Sequence, residues 1–301
     1  MIGLPERVGF LGLGTMGRAM AGRLLAAGHR VSGFDVADAA LAGFAGDGGE
    51  PATSAAAAAR DVGLLVVMVH DAEQVEAALA GPDGALDTLK AGATVWLAST
   101  VAPGYARRLG ARLADAGVLF VDGPVSGGVA GAAAGSLTVM AGAVPGALEV
   151  AGEAMAACAR HVFPVGEPGA GSLVKLMNQV LTAAHIALTA EVLALGTRCG
   201  VDPRLLADVI TRSAGTSRQF ERRAPAMLDG DLTPNATVAT FLKDLGLAQD
   251  TAREHAFPTP LAAATHQLFL MAAGAGHAGD SDVTVLRVYE RFGGVDVAGR
   301  R

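Results

Sequence analysis

The feature that most constrains the fold is a buried strand that turns straight into a helix across a glycine-rich loop. The run RVGFLG, residues 7–12, is short and apolar, as in a buried strand. The loop GLGTMG, residues 12–17, opens a helical pattern that runs to about Ala27 and ends at Gly28. A strand connected in this way to a helix is typical of a parallel sheet with helices packed on its faces.

The rest of the first half repeats this alternation of strands and helices. Further strand-like apolar runs lie at residues 30–35, 62–69, 93–99 and 117–122, and two more, at 136–142 and 161–166, extend the sheet. We therefore expect an α/β fold in which residues 1–166 form a doubly wound parallel sheet with helices on its faces.

Helical patterns replace strand patterns after Gly166. A helix-period segment spans residues 170–198, and the pairs Asp202–Pro203 and Thr259–Pro260 are start signals for further helices. We expect residues 167–301 to form an all-α C-terminal domain, beginning with the long helix that joins it to the first domain.

The glycine loop has the pattern G-x-G-x-x-G, which permits a tight turn and the close approach of a pyrophosphate to the N-terminus of a helix. An acidic residue, Asp35, ends the second strand, where a carboxylate can bind a ribose 2′-hydroxyl. The predicted cofactor-binding residues of this motif are Gly12, Leu13, Gly14, Thr15, Met16, Gly17 and Asp35. An ordinary turn capped by Asp35 is the alternative.

Asp35 also bears on which dinucleotide is bound. Its charge would repel a 2′-phosphate, and the residues that follow, Val36 to Asp38, supply no basic side chain. NADP sites usually provide an Arg at this place. The sequence therefore favours NAD over NADP.

Candidate ligand residues follow other strands at their carboxyl ends, where ligands bind in open α/β sheets. Val69 ends the 62–69 strand and is predicted beside the cofactor, and Ser99–Thr100 follows the next strand. Ser126 offers a hydroxyl group, and Gly127–Gly128 exposes backbone N–H groups that can bind a carboxylate. Ordinary turns are the alternative at each place.

Lys175 is the only charged residue between Glu167 and Glu191. An ammonium group in apolar surroundings is costly to desolvate, so we expect it either to be paired with another group or to have a chemical role. Polar residues follow it on one helix face, namely Asn178, Thr182, His185 and Thr189. We expect the rest of this helix to be buried almost all round. A Lys whose pKa is lowered by burial and positive neighbours can take a hydroxyl proton; an interface stripe, or a Lys that reaches water, is the alternative.

Composition and charge exclude several classes of function. The net charge is −6 without a dense Lys/Arg run, so a nucleic-acid partner is not expected. No uninterrupted apolar run reaches the ~18 residues typical of a membrane span, and the N-terminus does not resemble a signal peptide. The His and Cys residues show no metal-ligand spacing. We expect a cytoplasmic protein with no membrane association and no metal.

Four segments in this order resemble the β-hydroxyacid dehydrogenases, a family that includes 3-hydroxyisobutyrate dehydrogenase and tartronate semialdehyde reductase. They are GFLGLGTMG (9–17), DGPVSGGVAGAAAGSLTVMAG (122–142), GAGSLVKLMNQ (169–179) and FLKDLGLA (241–248). The resemblance spans almost the whole chain. It implies that residues 1–166 form an N-terminal Rossmann domain that binds NAD, joined by the long helix to an all-α domain, residues 167–301, for substrate binding and oligomerisation. It also implies oxidation of a small hydroxycarboxylic acid with hydride transfer to NAD.

The resemblance also implies roles for individual residues. The catalytic acid/base would be Lys175. The substrate, chiefly its carboxylate, would be held by Ser126, Gly127, Gly128 and Asn178. The residues against the cofactor would be Thr100 and Lys243, with Asp244 orienting the region of Lys243.

The C-terminal half contains the segments EPGAGSLVK (167–175), SAGTSRQFERRAPAMLDGDLTP (213–234) and FLKDLGLAQDTAREHAFPTPL (241–261). These segments most resemble the L-threonate dehydrogenase branch, which oxidises a four-carbon sugar acid with NAD. Two departures leave the substrate open: Asn178 stands where that branch often carries His, and many relatives place an aromatic residue near Ala236. The alternatives are a 3-hydroxyisobutyrate dehydrogenase, a tartronate semialdehyde (2-hydroxy-3-oxopropionate) or imine reductase, and, in another class, a non-catalytic dinucleotide sensor. The long apolar helices make a homodimer or homotetramer the expected assembly.

Overall fold

The computed structural model describes residues 7–299, and the chain divides into two compact units, Met1–Lys175 and Leu176–Arg301. The division falls inside the long helix Ala170–Arg198, directly after Lys175. The domain limit after residue 166 stays a prediction. The absence of a signal peptide was inferred in part from residues 1–6, which lie outside the described residues.

The first unit is built on a nine-stranded sheet. Its strands are β1 (Arg7–Leu11), β2 (Arg30–Phe34), β3 (Glu50–Pro51), β4 (Leu64–Val67), β5 (Thr94–Leu97), β6 (Leu119–Asp122), β7 (Val125–Ser126), β8 (Leu137–Ala143) and β9 (Ala159–Gly166). Their order is β3-β2-β1-β4-β5-β6-β8-β7, with β9 beside β8. Strands β1 to β6 are all parallel to one another, which confirms the expected Rossmann sheet.

One edge of the sheet departs from a purely parallel arrangement. β8 runs antiparallel to β6, with Val121 opposite Ala143, and also antiparallel to β7. β3 and β7 were not predicted from the sequence, because a two-residue strand shows no periodicity. The short strand β7 carries Ser126, one of the predicted substrate-binding residues.

Helices cover the strands of the first unit. They are α1 (Thr15–Ala26), α2 (Asp38–Gly46), α3 (Ala55–Ala59), α4 (Ala72–Ala80), α5 (Pro103–Asp115), α6 (Gly128–Ala133) and α7 (Ala147–Cys158). All four residues of β4 are fully buried, as expected for a central strand covered on both faces. The core therefore lies in two layers, one on each side of the sheet.

The second unit is helical, as predicted. Its helices are the greater part of α8 (Ala170–Arg198), then α9 (Pro203–Thr211), α10 (Arg218–Asp229), α11 (Val238–Glu254), α12 (Pro260–Ala272) and α13 (Leu286–Gly293). Asp202 caps α9 by accepting the Leu205 N–H over 2.8 Å, which confirms that start signal. The rings of Phe241 and Phe269, 5.3 Å apart, pack α11 on α12.

The long helix α8 has the predicted span, but its expected burial was wrong. One side packs into the core of the second unit through Ala183, Ile186, Ala190 and Leu193. A neighbouring face, which we call the α8 apolar stripe, exposes Val174, Met177, Leu181, Leu188, Val192 and Leu195. These side chains are 38–61% exposed in the single chain. Periodicity alone did not separate this stripe from the core face, because both are apolar.

The length and composition of α8 alone would allow it to cross a membrane. The core helix of a globular protein meets the same criteria, and part of α8 is buried in the core of the second unit. The expectation of no membrane association stays a prediction.

Candidate active site

The carboxyl ends of four parallel strands lie side by side in the first unit. Leu11 is paired in register with Val67, Val67 with Leu97, and Leu97 with Asp122. The glycine loop and the segments that begin at Met68, Ala98 and Gly123 therefore leave the sheet at one edge. Most of the predicted site residues of this unit lie in these segments, at the edge where open α/β sheets bind their ligands.

The glycine loop has the geometry of a pyrophosphate cradle. Gly12 has φ +90°, and a Cβ atom there would lie 2.3 Å from the Met68 carbonyl oxygen. A Cβ at Gly17 would lie 1.9 Å from the carbonyl oxygen of Gly12, so neither position tolerates a side chain. Gly14 and Thr15, at the start of α1, are exposed, and nothing lies within 4 Å of a Cβ built on Gly14. The N-terminus of α1 is thus open to an anion.

Asp35 holds the glycine loop against the end of β2. Its Oδ2 accepts the Leu13 N–H over 2.7 Å, and its Oδ1 accepts the Ala37 N–H over 2.9 Å. The carboxylate therefore both caps the turn and contacts the glycine loop, so the two roles considered from the sequence are compatible. Each oxygen keeps a further lone pair that can accept a ribose hydroxyl.

The segments after β4 and β5 are tied together. The Val69 N–H donates to the Ser99 hydroxyl over 2.9 Å, and Ser99 is 1% exposed. A Cβ on Gly12 would lie 2.9 Å from Val69 Cγ1, which places Val69 directly beside the glycine loop. Thr100 follows Ser99 and is half-buried. The sequence pointed to Ser99 and Thr100 together at this strand end, but a contact with the cofactor was predicted for Thr100 alone.

The three predicted carboxylate-binding residues of the first unit lie in a row. Ser126 ends β7 and pairs with Thr138 of β8, while Gly127 and Gly128, with φ +140° and +68°, turn the chain into α6. All three are partly exposed. The buried indole of Trp96 supports the segment by donating its Nε1–H to Gly123 O over 2.8 Å.

A buried carboxylate precedes this row. Asp122 ends β6, is fully buried, and accepts three hydrogen bonds from the start of α8. Its Oδ2 accepts the N–H groups of Gly169 (2.9 Å) and Ser172 (2.8 Å), and its Oδ1 accepts the Ser172 hydroxyl (2.6 Å). Burial raises the pKa of Asp122, and these hydrogen bonds act in the opposite direction. Sequence reasoning missed this residue, since its partners lie 47 and 50 residues away.

Lys175 lies in the second turn of α8 and is 7% exposed. This burial argues against the alternative in which Lys175 extends into water. Lys175 belongs to the same compact unit as the glycine loop and Ser126. Its neighbour Leu176 is fully buried, whereas Val174 is exposed.

A chain of polar contacts in the second unit links Asn178 to Asp244. Asn178 Nδ2 donates to Gln179 Oε1 over 3.3 Å, and Gln179 Nε2 donates to Asp244 Oδ2 over 2.7 Å. The other oxygen of Asp244 lies 2.8 Å from Lys243 Nζ. Gln179 is buried and was not among the predicted site residues. Its place beside Asn178 in an apolar segment was the available signal.

The polar face of α8 is largely satisfied by the helix itself. The Thr182 hydroxyl donates to Asn178 O and the Thr189 hydroxyl to His185 O, over 2.8 and 2.7 Å. These back-bonds give both threonines a structural explanation. Among residues 7–299, no three His, Cys, Asp or Glu side chains come together in a way that could hold a metal ion.

Comparison with known families agrees with this geometry. A model described as the NAD binding domain of 6-phosphogluconate dehydrogenase matches residues 7–166. A second, described as the NAD-binding of NADP-dependent 3-hydroxyisobutyrate dehydrogenase, matches residues 169–289. Together they cover both units.

Similar individual proteins extend over almost the whole chain. An L-threonate dehydrogenase of Cupriavidus necator is 45% identical over 298 residues, 99% of each chain. The L-threonate dehydrogenase of Escherichia coli K12 is 38% identical over 301 residues, again 99% of each. A solved structure, a 3-hydroxyisobutyrate dehydrogenase from Salmonella typhimurium, superposes with a TM-score of 0.87 at 38% identity and covers 94% of this chain and 99% of its own.

Proposed function

The chain belongs to the β-hydroxyacid dehydrogenase family as an NAD-dependent oxidoreductase acting on the CH–OH group of a hydroxyacid, and we propose that its substrate is a four-carbon sugar acid of the L-threonate type. The identity over the full length to L-threonate dehydrogenases supports this substrate. The burial of Lys175, which withdraws an amine from water at the start of a long helix, is the observation that carries the mechanism.

Lys175 is proposed as the acid/base. In the direction of oxidation, its neutral amine accepts the proton of the substrate hydroxyl, and in the reverse direction its ammonium returns that proton to the carbonyl oxygen.

Ser126, Gly127 and Gly128 are proposed to bind the substrate carboxylate through the Ser hydroxyl and backbone N–H groups. The rigid support of this segment, with Trp96 bonded to Gly123 O and β7 paired to β8, suits it to orient a small acid. Asn178 is proposed to bind the same substrate with its side-chain amide.

The cofactor is NAD, which when bound accepts the hydride released from the carbinol carbon. We propose that the glycine loop, Gly12 to Gly17, holds its pyrophosphate and Asp35 its adenosine ribose. Val69, Thr100 and Lys243 are proposed to contact it, with Asp244 holding Lys243 in place. Arg18 is a basic side chain at the glycine loop. It forms an ion pair with Asp47 at 2.5 Å, which neutralises its charge.

A homodimer or homotetramer is proposed for the assembly. The α8 apolar stripe leaves large hydrophobic side chains exposed in the single chain, and such continuous patches mark protein interfaces. A second copy of this chain would cover them. Cytoplasmic location stays a prediction.

The substrate is tested by measuring NADH formation across a panel of L-threonate, D-threonate, D-glycerate, 3-hydroxyisobutyrate, serine and tartronate. We expect the highest kcat/KM with L-threonate. A higher value with 3-hydroxyisobutyrate would overturn the proposed substrate and leave the family intact. Faster NADH consumption with aldehydes or cyclic imines would identify a reductase, and NAD binding without any turnover would favour the dinucleotide sensor.

A further inference from the structure

The first turn of α8 is anchored by a side chain from the sheet. The first N–H groups of a helix have no partner within it and need a cap. In α3, α4, α9, α10 and α11 this is solved locally, by a residue that accepts the N–H three positions further along: Ser54, Asp71, Asp202, Ser217 and Thr237. For α8 the acceptor is Asp122, at the end of β6, and the bonds reach Gly169 and Ser172 across the fold of the first unit.

The anchor leaves little room for the helix to shift. A Cβ atom on Gly171 would lie 2.1 Å from the carbonyl oxygen of Asp122 and 2.4 Å from that of Met140. The helix backbone therefore touches the backbones of β6 and β8 directly. A local cap would satisfy the same N–H groups without the cost of burying a carboxylate. Capping alone therefore does not explain why Asp122 bonds to the start of α8.

We infer that Asp122 is a positioning residue that fixes Lys175 relative to the Ser126–Gly128 segment, an inference that rests on the proposed role of Lys175. Lys175 comes one helical turn after Ser172, the residue that Asp122 holds by two bonds. Asp122 also begins the segment that carries Ser126. One carboxylate thus connects the proposed proton acceptor to the proposed carboxylate-binding residues, and all of them belong to the same compact unit.

The inference is tested by the kcat of Asp122→Ala and Asp122→Asn. Each kcat is divided by the measured concentration of NAD-binding sites, so that unfolded protein does not lower the value. Misplacing a reacting group by about 1 Å can cost 10²-fold in rate. We expect Asp122→Ala to lower kcat by about 10- to 100-fold, with the Kd for NAD within about twofold of the wild type. Asp122→Asn keeps one acceptor for the two backbone N–H groups, so it should retain more activity.

Matched control variants separate the loss of positioning by Asp122 from the general effect of removing a helix cap or replacing a glycine. Asp202→Ala removes the cap of α9, and Gly152→Ala adds a methyl in α7, where nothing lies within 4 Å. Both should keep the wild-type kcat. Gly171→Ala, which must push the helix off the sheet, should lower kcat as Asp122→Ala does. If Asp122→Ala does not fold, Asp122→Asn and Ser172→Ala decide the question by the same measurement.

The double variant Asp122→Ala/Lys175→Ala shows whether Asp122 acts through Lys175. A residue that only positions another adds no further loss once that other is gone. We therefore expect the double variant to match Lys175→Ala. Multiplied losses, or a kcat per site of Asp122→Ala within twofold of the wild type, would overturn the inference. A normal kcat for Lys175→Ala would instead remove the proposed role of Lys175, so the two failures can be told apart.

Discussion

Gln179 donates its Nε2–H to Asp244 over 2.7 Å, and this bond fixes the orientation of the Gln179 amide. An ionised carboxylate only accepts hydrogen bonds, so the NH₂ group must face Asp244 and the oxygen must face Asn178. Asn178 in turn presents its Nδ2 to that oxygen over 3.3 Å. The direction of the proposed substrate-binding amide is thus set from Asp244.

Gln179→Leu removes the amide that orients Asn178. It should raise the KM for the hydroxyacid several-fold while the Kd for NAD changes less. The reason is that Asn178 can then turn its amide, and a buried oxygen of Asp244 loses its donor, which also costs about 1–3 kcal/mol of stability. Steady-state kinetics and urea unfolding measure the two effects. Thr189→Val, which removes a hydroxyl bonded only within α8, is the control and should leave KM unchanged. An unaltered KM in Gln179→Leu would contradict the coupling.

The cofactor preference is expected to depend on Asp35. NAD should give a higher kcat/KM than NADP, because the carboxylate repels a 2′-phosphate, and Asp35→Ala with Val36→Arg should shift the ratio towards NADP. Asp35→Ala should also weaken NAD binding, since the Leu13 N–H loses its acceptor. Asp38→Ala, at the exposed start of α2, is the control. A wild-type preference for NADP would show that the role of Asp35 is wrong.

The stability of the protein should depend on pH through Asp122. Burial raises its folded-state pKa above the ordinary value of 3.8, so the folded state keeps the proton to higher pH than the unfolded chain does. This contribution to stability is therefore complete at acid pH and is lost as the pH rises through the folded pKa. The unfolding free energy of the wild type minus that of Asp122→Asn should therefore fall as the pH rises above about 4. A difference that grows with pH would mean that the hydrogen bonds outweigh burial.

The α8 apolar stripe should form the contact between copies of the chain. Leu188→Lys places a charge in the middle of the stripe, where Leu188 is 56% exposed, and should convert oligomers into monomers in sedimentation velocity experiments. Leu261→Lys changes a residue that is 80% exposed and lies on α12, outside the stripe, so the assembly should persist. A monomeric wild type, or an oligomer unaffected by Leu188→Lys, would contradict this assignment.

Local sequence signals predicted the features that local physics determines. The glycine loop, the span of α8 and the start of α9 follow from steric demands, periodicity and capping within a few residues. Asp122 and Gln179 were not predicted, because their roles come from partners 47–65 residues away. The exposure of Leu181 and Leu188 was likewise hidden, since an apolar residue at an interface and one in a core look alike in a single sequence.

The central claim is that Lys175 transfers the hydroxyl proton, and the kcat of Lys175→Ala with L-threonate and NAD tests it most directly. We predict a loss of about 10²–10⁴-fold, typical of removing an acid/base, with NAD bound as in the wild type. Lys90→Ala, which removes an exposed amine paired with Asp61, should have no effect on kcat. A Lys175→Ala enzyme that binds NAD and turns over within twofold of the wild type would contradict the account.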